Sequence, residues 1–354
     1  MAKFHTTNPF TEEVIQEYSY FAADRIDSVL SNAQKSFTVW SSLSLEQRAD
    51  CLRKAALLLR ERKRDLAELM TAEMGKPVLT AAAEIDKSAW VCEYFADYGH
   101  DFLQPQVVEL EDKAYVRFDP LGTVLAIMPW NFPFWQVFRC AAPVMMAGNT
   151  VLLKHAPNTT GCALAIEQVF KDAGFVEGAF QVLIADVDQV PGIIQDDRVS
   201  AVTLTGSTRA GKAVAKIAGA ALKKVVLELG GSDPYIVLKD ADLDLAVESC
   251  VASRMNNAGQ TCVAAKRLIV EAPVYDEFIL KLKNQMESYV LGDPMDAKTT
   301  LGPMARKDLQ ENIHQQVQES IKQGAKCILG GELPEGKGYF LSLIHISEPT
   351  RPLS

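Results

Sequence analysis

One cysteine, one carboxylate and one side-chain amide stand in this chain where they could do chemistry. Cys262 closes the stretch Met255-Asn256-Asn257-Ala258-Gly259-Gln260-Thr261-Cys262, an Asn- and Gly-bearing loop after a helical pattern over Leu243–Arg254. A thiolate attacks carbonyl carbon well near neutral pH even as a small fraction of the thiol, and Gly259 would let backbone approach a substrate closely. By itself, Cys262 is as readily an inert core thiol. Glu228 lies in Leu227-Glu228-Leu229-Gly230-Gly231, a strand running into two glycines. Its apolar neighbours predict a desolvated carboxyl with a raised pKa, suited to a general base. Asn131, in Met128-Pro129-Trp130-Asn131-Phe132-Pro133, offers an amide N–H₂ for a developing oxyanion. Alone, Glu228 reads as a structural ion pair and Asn131 as a turn amide.

The elements that must position these groups follow from periodicity. From Gly122 on, apolar runs alternate with helical patterns. Strands are expected at Thr123–Met128, Thr150–Leu153, Phe180–Ile184, Val199–Leu204 and Val225–Leu229. Helices are expected at Gln136–Ala147, Gly161–Ala173, Val187–Gln195 and Arg209–Ala220. That alternation predicts a parallel, doubly wound sheet with right-handed crossovers. A second α/β run follows, with strands at Tyr235–Leu238, Arg267–Val270 and Cys327–Leu329, and helices at Leu243–Arg254, Val274–Leu291 and Arg306–Gln323.

Upstream, Ser44 and Gln47 form a capping box for one long helix over Ser44–Met74, ended by Gly75 and Pro77. Leu45, Ala49, Leu52, Ala56 and Leu59 make its apolar stripe, and the charged run Arg60–Arg64 reads as a solvated face. A second helix over Ala81–His100 would put Trp90, Tyr94 and Phe95 in the core. Val107–Leu110 and Ala114–Phe118 flank the turn Glu111-Asp112-Lys113, a hairpin signal.

Composition bounds the function. A net charge of −9 argues against non-specific nucleic-acid binding. No apolar run approaches the ~20 residues of a membrane span, and no secretory signal opens the chain. The 7 cysteines are scattered without C-x-x-C spacing, which fits a reducing, cytoplasmic compartment and no zinc site.

Taken together, the Cys262, Glu228 and Asn131 strings resemble the aldehyde dehydrogenase superfamily in order and spacing, closest to its bacterial succinate-semialdehyde dehydrogenase group. The resemblance implies an α/β fold of two doubly wound parallel-sheet domains: an NAD(P)-binding domain over residues 1–102 and 122–227, and a catalytic domain over residues 228–340. A bridging hairpin over residues 103–121 would help form a homodimer or homotetramer. The implied reaction is oxidation of an aldehyde to its acid. Cys262 attacks, and Asn131 with the Cys262 amide holds the oxyanion. Hydride leaves to nicotinamide, and Glu228 activates water on the thioester. There is no G-x-G-x-x-G. Instead Leu204-Thr205-Gly206-Ser207-Thr208-Arg209-Ala210-Gly211 links a strand to a helix, and the family holds cofactor phosphates there, making Gly206, Ser207 and Gly211 cofactor residues together with Trp130 and Leu229. Taken alone, this loop is a strand–helix turn with Ser207 or Thr208 as N-cap.

Lys154 would bond the adenosine ribose. Pro157 stands where NAD-preferring members often carry a glutamate, so NAD is favoured with NADP also possible. Arg139, nine residues past Trp130, is the implied anchor for a substrate carboxylate. A second family arginine position holds Asn256, with Arg254 the nearest arginine. After Phe340 the resemblance stops, so the second domain is expected to be incomplete, residues 341–354 a foreign-looking tail and this chain inactive. The alternatives are an esterase or an acyl-transferring, CoA-dependent family member, a broad-range dehydrogenase, or a fragment that only binds partners.

Overall fold

A computed structural model describes residues 2–109, 113–342 and 344–347. The chain divides into two units. The first holds the described residues of Met1–Thr6, Gln16–Leu69 and Ala82–Leu229; the second holds those of Thr7–Ile15, Met70–Ala81 and Gly230–Ser354.

Two strands open the chain, β1 (Lys3–Thr7) and β2 (Val14–Ser19), followed by α1 (Ala23–Ser42). Helix α1 starts after Ala22 with no side-chain cap, so the sequence carried no start signal for it. The capping box of Ser44 forms as expected: Gln47 N–H donates to Ser44 Oγ at 3.2 Å, and Ser44 N–H donates to Gln47 Oε1 at 2.9 Å. The long helix does not form as one piece. It divides into α2 (Leu45–Glu61) and α3 (Lys63–Met74) at Arg62. On one straight helix Arg60 and Arg64 would stack as an i,i+4 like-charge pair. Across the break, Arg60 pairs with Glu93 at 2.6 Å, Arg62 with Asp172 at 2.7 Å, and Lys63 with Asp86 at 3.0 Å. The run is an exposed ion-paired face.

Helix α4 (Val78–Phe102) is longer than expected, and its aromatics correct the reading of the core. Ile85, Ala89, Cys92 and Ala96 are its buried stripe, while Trp90 is 52% exposed. Tyr94 and Phe95 are half-buried. Trp90, Tyr94, Tyr98 and Phe102 step by four along another face, with Trp90–Tyr94 centroids 5.8 Å apart and Tyr94–Tyr98 centroids 5.1 Å apart. Residues that recur every four positions share a helix face whether or not that face is covered.

Strands β3 (Gln106–Glu109) and β4 (Lys113–Val116) pair antiparallel, with Val107 opposite Tyr115. Of the expected turn, Glu111 and Asp112, like Leu110, lie outside the described residues. The first unit's sheet then builds in order: β5 (Thr123–Met128), α5 (Trp135–Met146), β6 (Thr150–His155), α6 (Thr160–Asp172), β7 (Phe180–Val182), α7 (Val190–Gln195), β8 (Val199–Gly206), α8 (Thr208–Ala220) and β9 (Lys224–Leu229). All five strands are parallel, in the order β7-β6-β5-β8-β9. Strands β5 and β6 are buried almost throughout, as their unbroken apolar runs demand. Ile26, Leu30, Ile193, Val214 and Ala218 cover one face through α1, α7 and α8. Phe138 of α5 stacks on Phe170 of α6 at 5.2 Å. Strand β9, at the edge, alternates exposed and half-buried positions.

In the second unit β10 (Asp233–Val237) and β11 (Ala265–Val270) pair in parallel. Helices α9 (Leu243–Met255) and α10 (Tyr275–Glu287) pack through Val247, Val251, Phe278 and Leu282. Asp242 caps α9 by accepting from Asp244 and Leu245 N–H at 3.1 Å each. After α11 (Lys307–Lys322), β12 (Lys326–Gly330) pairs antiparallel with β13 (Ile344–Ser347). Of the expected tail, Leu343 and residues 348–354 lie outside the described residues. Among the described residues no helix is long and apolar enough to cross a membrane, and no cluster of three or more His, Cys, Asp or Glu could hold a metal ion.

Gly75 ends α3 at φ +76°, and a Cβ there would lie 2.8 Å from Pro303 Cγ and 3.0 Å from Pro9 Cγ. Gly75→Ala should therefore cost about 2–4 kcal/mol, combining positive-φ strain with overpacking against rigid rings. A lower urea midpoint would register it; an unchanged midpoint would contradict this packing.

Candidate active site

Strand order places a topological switch between β5 and β8, where ligands bind beyond the carboxyl ends of the strands. The register lines those ends up: Met128 faces His155 across β5 and β6, and Ile127 faces Leu204 across β5 and β8. Thr205 faces Glu228, and Gly206 faces Leu229, across β8 and β9. Asn131 follows β5 in the bend that leads to α5, and is half-buried. Lys154 stands one residue before the end of β6, and Glu228 one before the end of β9. Asn131, Lys154, Gly206, Ser207 and Glu228 thus share one end of the first unit's sheet.

Glu228 departs from expectation. Its side chain is 54% exposed. The flanking Leu227 and Leu229 point to the opposite face, because side chains alternate along a strand. Apolar sequence neighbours on an edge strand therefore do not make an apolar environment. What the structure brings to Glu228 is Arg139 from α5. Its guanidinium lies 3.8 Å from Glu228 Oε2 and donates toward Thr205 Oγ1 at 3.5 Å.

On the cofactor side, Ser207 caps α8 by accepting from Ala210 N–H at 3.2 Å. A helix that starts there presents amides and the positive end of its dipole. Gly211 has a packing role: a Cβ would sit 2.6 Å from Leu229 Cδ2, so α8 lies directly against β9. Lys154 is buried, and burial pulls its ammonium below the ordinary range, against the opposing effect of Asp186. Pro157 opens a short 3-10 turn over Pro157–Thr159. The next residue, Asn158, was not singled out from sequence. Both polar atoms of its side-chain amide are buried without a hydrogen-bond partner, which is costly unless a polar ligand satisfies them. With Lys154 four residues earlier, these groups fit the sugar and phosphate of a nucleotide.

Cys262 belongs to the second unit. Its loop is held at both ends: Ser253 Oγ of α9 accepts from Ala265 N–H at 3.0 Å and from Tyr235 Oη–H at 2.9 Å. Between them Asn257, Ala258 and Gly259 all take left-handed backbone, at φ 55°, 55° and 74°. For Ala258 that costs about 1–2 kcal/mol, and such strain is held only where surroundings impose it. Gln260 Oε1 accepts from Ala305 N–H at 3.0 Å, Thr261 Oγ1 donates to Asn256 O at 3.0 Å, and Lys266 Nζ donates to the Cys262 carbonyl. Gly259 is needed for its φ, and a Cβ there would lie 3.5 Å from the Arg254 guanidinium. Cys262 is partly exposed, whereas burial pushes the thiols of Cys92 and Cys140 upward, Cys140 to about 12.

The aldehyde dehydrogenase family model matches residues 1–350, continuing past Phe340. The chain belongs to the aldehyde dehydrogenase family. It is 48% identical to the succinate semialdehyde dehydrogenase (NAD(P)+) Sad of Escherichia coli K12, over 94% of this chain and 72% of that protein. It is 46% identical to a probable succinate-semialdehyde dehydrogenase (NADP+) of Synechocystis, over 95% of this chain and 74% of that one. Its fold matches the crystal structure of succinic semialdehyde dehydrogenase from Streptococcus pyogenes in complex with NADP+, with a TM-score of 0.96 and 36% identity, covering 98% and 77% of the two chains.

Two further residues of this aldehyde dehydrogenase stand beside Asn131 without having been foreseen. His155 ends β6 and is 7% exposed, and Glu84 of α4 is 5% exposed. Burial drives the His155 imidazole from 6.5 to about 4. The native state then stays neutral where the unfolded chain takes a proton, so stability should fall as pH drops through the window from about 6.5 to about 4. Urea unfolding at pH 7 and pH 5 checks this: His155→Gln should flatten that pH slope, and an unchanged slope would speak against it.

Proposed function

We propose that this aldehyde dehydrogenase oxidises a short aldehyde bearing a distal carboxylate, succinate semialdehyde, to its dicarboxylic acid with NAD+ or NADP+. The succinate-semialdehyde dehydrogenases among its relatives support this reading. So does the grouping of Arg139, Glu228 and Asn131 at one end of the sheet. Cys262 Sγ adds to the aldehyde carbon, and the Asn131 N–H₂ and the Cys262 amide stabilise the oxyanion, each worth about 2.7–4 kcal/mol. The nicotinamide cofactor, when bound, accepts the hydride. The resulting thioester on Cys262 is hydrolysed by a water that Glu228 deprotonates. Lys154, Asn158 and the start of α8 hold the cofactor, and Pro157 brings no carboxylate to repel a 2′-phosphate.

Arg139 admits two roles. It grips the substrate carboxylate in the first reading. Its 3.8 Å approach to Glu228 favours a second, in which it orients the base for any aldehyde. Cys262→Ala should abolish turnover. Arg139→Ala should lower kcat/KM about tenfold or more for succinate semialdehyde while sparing propanal, if it grips the carboxylate. Equal losses on both aldehydes would assign Arg139 to Glu228 and end the carboxylate reading.

We also propose that the hairpin β3–β4 meets another copy of the chain. Its cross-strand pair Val107 and Tyr115 is 79% and 60% exposed, and a lone two-stranded ribbon with such a face is marginal in water. Val107→Lys with Tyr115→Lys should reduce the mass measured by light scattering to that of a smaller assembly. An unchanged mass would remove this surface from the interface.

A further inference from the structure

The segment that carries Asn131 runs from β5 into α5 through Pro133, Phe134 and Trp135. A helix start leaves amides without intrahelical partners, and a neighbouring carbonyl can be left over as well. Here Gln136 N–H bonds Phe132 O at 3.0 Å, while Val137 and Phe138 N–H both bond Phe134 O, at 3.1 and 2.9 Å. The Pro133 carbonyl is skipped by this ladder, and His155 takes it: Nε2 lies 3.0 Å from Pro133 O.

The tautomer follows from the neighbours. Ala156 N–H can only donate, and it approaches His155 Nδ1 at 2.9 Å, with Thr159 Oγ1 also at 2.9 Å. Nδ1 is therefore the acceptor and Nε2 carries the proton it donates to Pro133.

On the other side, Glu84 reaches from α4 across fifty residues of sequence. Its Oε1 accepts from Phe134 N–H at 2.9 Å and Trp135 N–H at 3.0 Å. The N-cap of α5, Phe134, has no capping side chain of its own. Glu84 thus supplies the cap from another helix, with a charge of the sign that the helix dipole favours. One turn along α4, Lys87 Nζ sits 4.1 Å over the Trp135 ring. Three consecutive residues, Pro133 to Trp135, starting at the second position after Asn131, are therefore tied through main-chain atoms by two buried side chains from different elements.

We propose that His155 and Glu84 are positioning residues that clamp Pro133–Trp135 from both sides and so fix the direction of the Asn131 amide. This rests on Asn131 as the oxyanion donor. An oxyanion donor works only when it is aimed in advance, because its advantage over water is that it need not reorganise. A clamp on main-chain atoms two to four residues away transmits that aim more rigidly than contacts to rotatable side chains would.

The test is a mutant cycle on the full chain, read as the single-turnover rate of reduced-cofactor formation. Asn131→Ala should lower this rate about 100-fold or more. His155→Ala should lower it about tenfold when Asn131 is present and less than about twofold in the Asn131→Ala background. Lys154 Nζ donates to the His155 carbonyl at 3.3 Å, and the His155 ring also holds Ala156 and Thr159 on either side of Asn158. Cofactor affinity is therefore read in the Glu84→Ala variant, whose contacts lie at Phe134 and Trp135, and should stay within about twofold there. His155→Gln, which keeps a donor and an acceptor, and Glu84→Gln, which keeps the acceptor oxygen, should restore the rate to within about threefold. If His155→Ala does not fold, Glu84→Ala runs the same cycle. An equal loss in both backgrounds overturns the clamp and leaves Asn131 as donor. A full rate in Asn131→Ala alone overturns the oxyanion reading, and the clamp's role with it.

Discussion

The register of β5 between β6 and β8 is the constraint on which the first unit depends. Both neighbours run parallel to β5, and both faces of the strand are covered, so its backbone groups are satisfied only within the ladder. Past Met128 the chain leaves the ladder, and at the start of α5 the Pro133 carbonyl and the Phe134 and Trp135 amides take partners from side chains of flanking elements. Glu84 and His155 meet that need after β5, whereas after β6 both polar atoms of the Asn158 amide stay buried without a hydrogen-bond partner. A one-residue slip of β9 against β8 would exchange Glu228 for Leu227 or Leu229 opposite Thr205 and turn the carboxylate to the other face.

Much of this was legible in the sequence, for identifiable reasons. Buried parallel strands announce themselves as unbroken apolar runs, and Thr123–Met128 forms over the expected span. The Ser44 capping box is a contact of three residues' range, and it forms as written. Glycines that end helices show their need through φ, as Gly75 does. The family resemblance, carried by three short strings, proved a sound guide to the fold and to the class of reaction.

What the sequence hid was long-range or geometric. Glu84 and Phe134 are fifty positions apart, and no periodicity links a helix-interior glutamate to the start of another helix. His155 lies past the expected strand Thr150–Leu153 and carried no signal there, yet its ring is committed to Pro133, Ala156 and Thr159. The exposure of Glu228 was misjudged because neighbours in sequence are not neighbours in space on a pleated strand. Trp90 was expected inside, although the helix already has a buried stripe in Ile85, Ala89, Cys92 and Ala96. The division of α2 from α3 needed the positions of Glu93, Asp86 and Asp172, which only the folded chain supplies.

The uneven burial of the indoles has an optical consequence. The protein has 4 tryptophans. Trp40 is wholly enclosed, stacked on Phe175 and donating to Met145 O at 3.0 Å, while Trp90 stands in solvent beside Tyr94. Their emission should therefore differ in colour, short-wavelength from Trp40 and long-wavelength from Trp90. Iodide should extinguish the red component first. Of its 4 indoles, Trp40 thus watches the interior and Trp90 the outer face of α4.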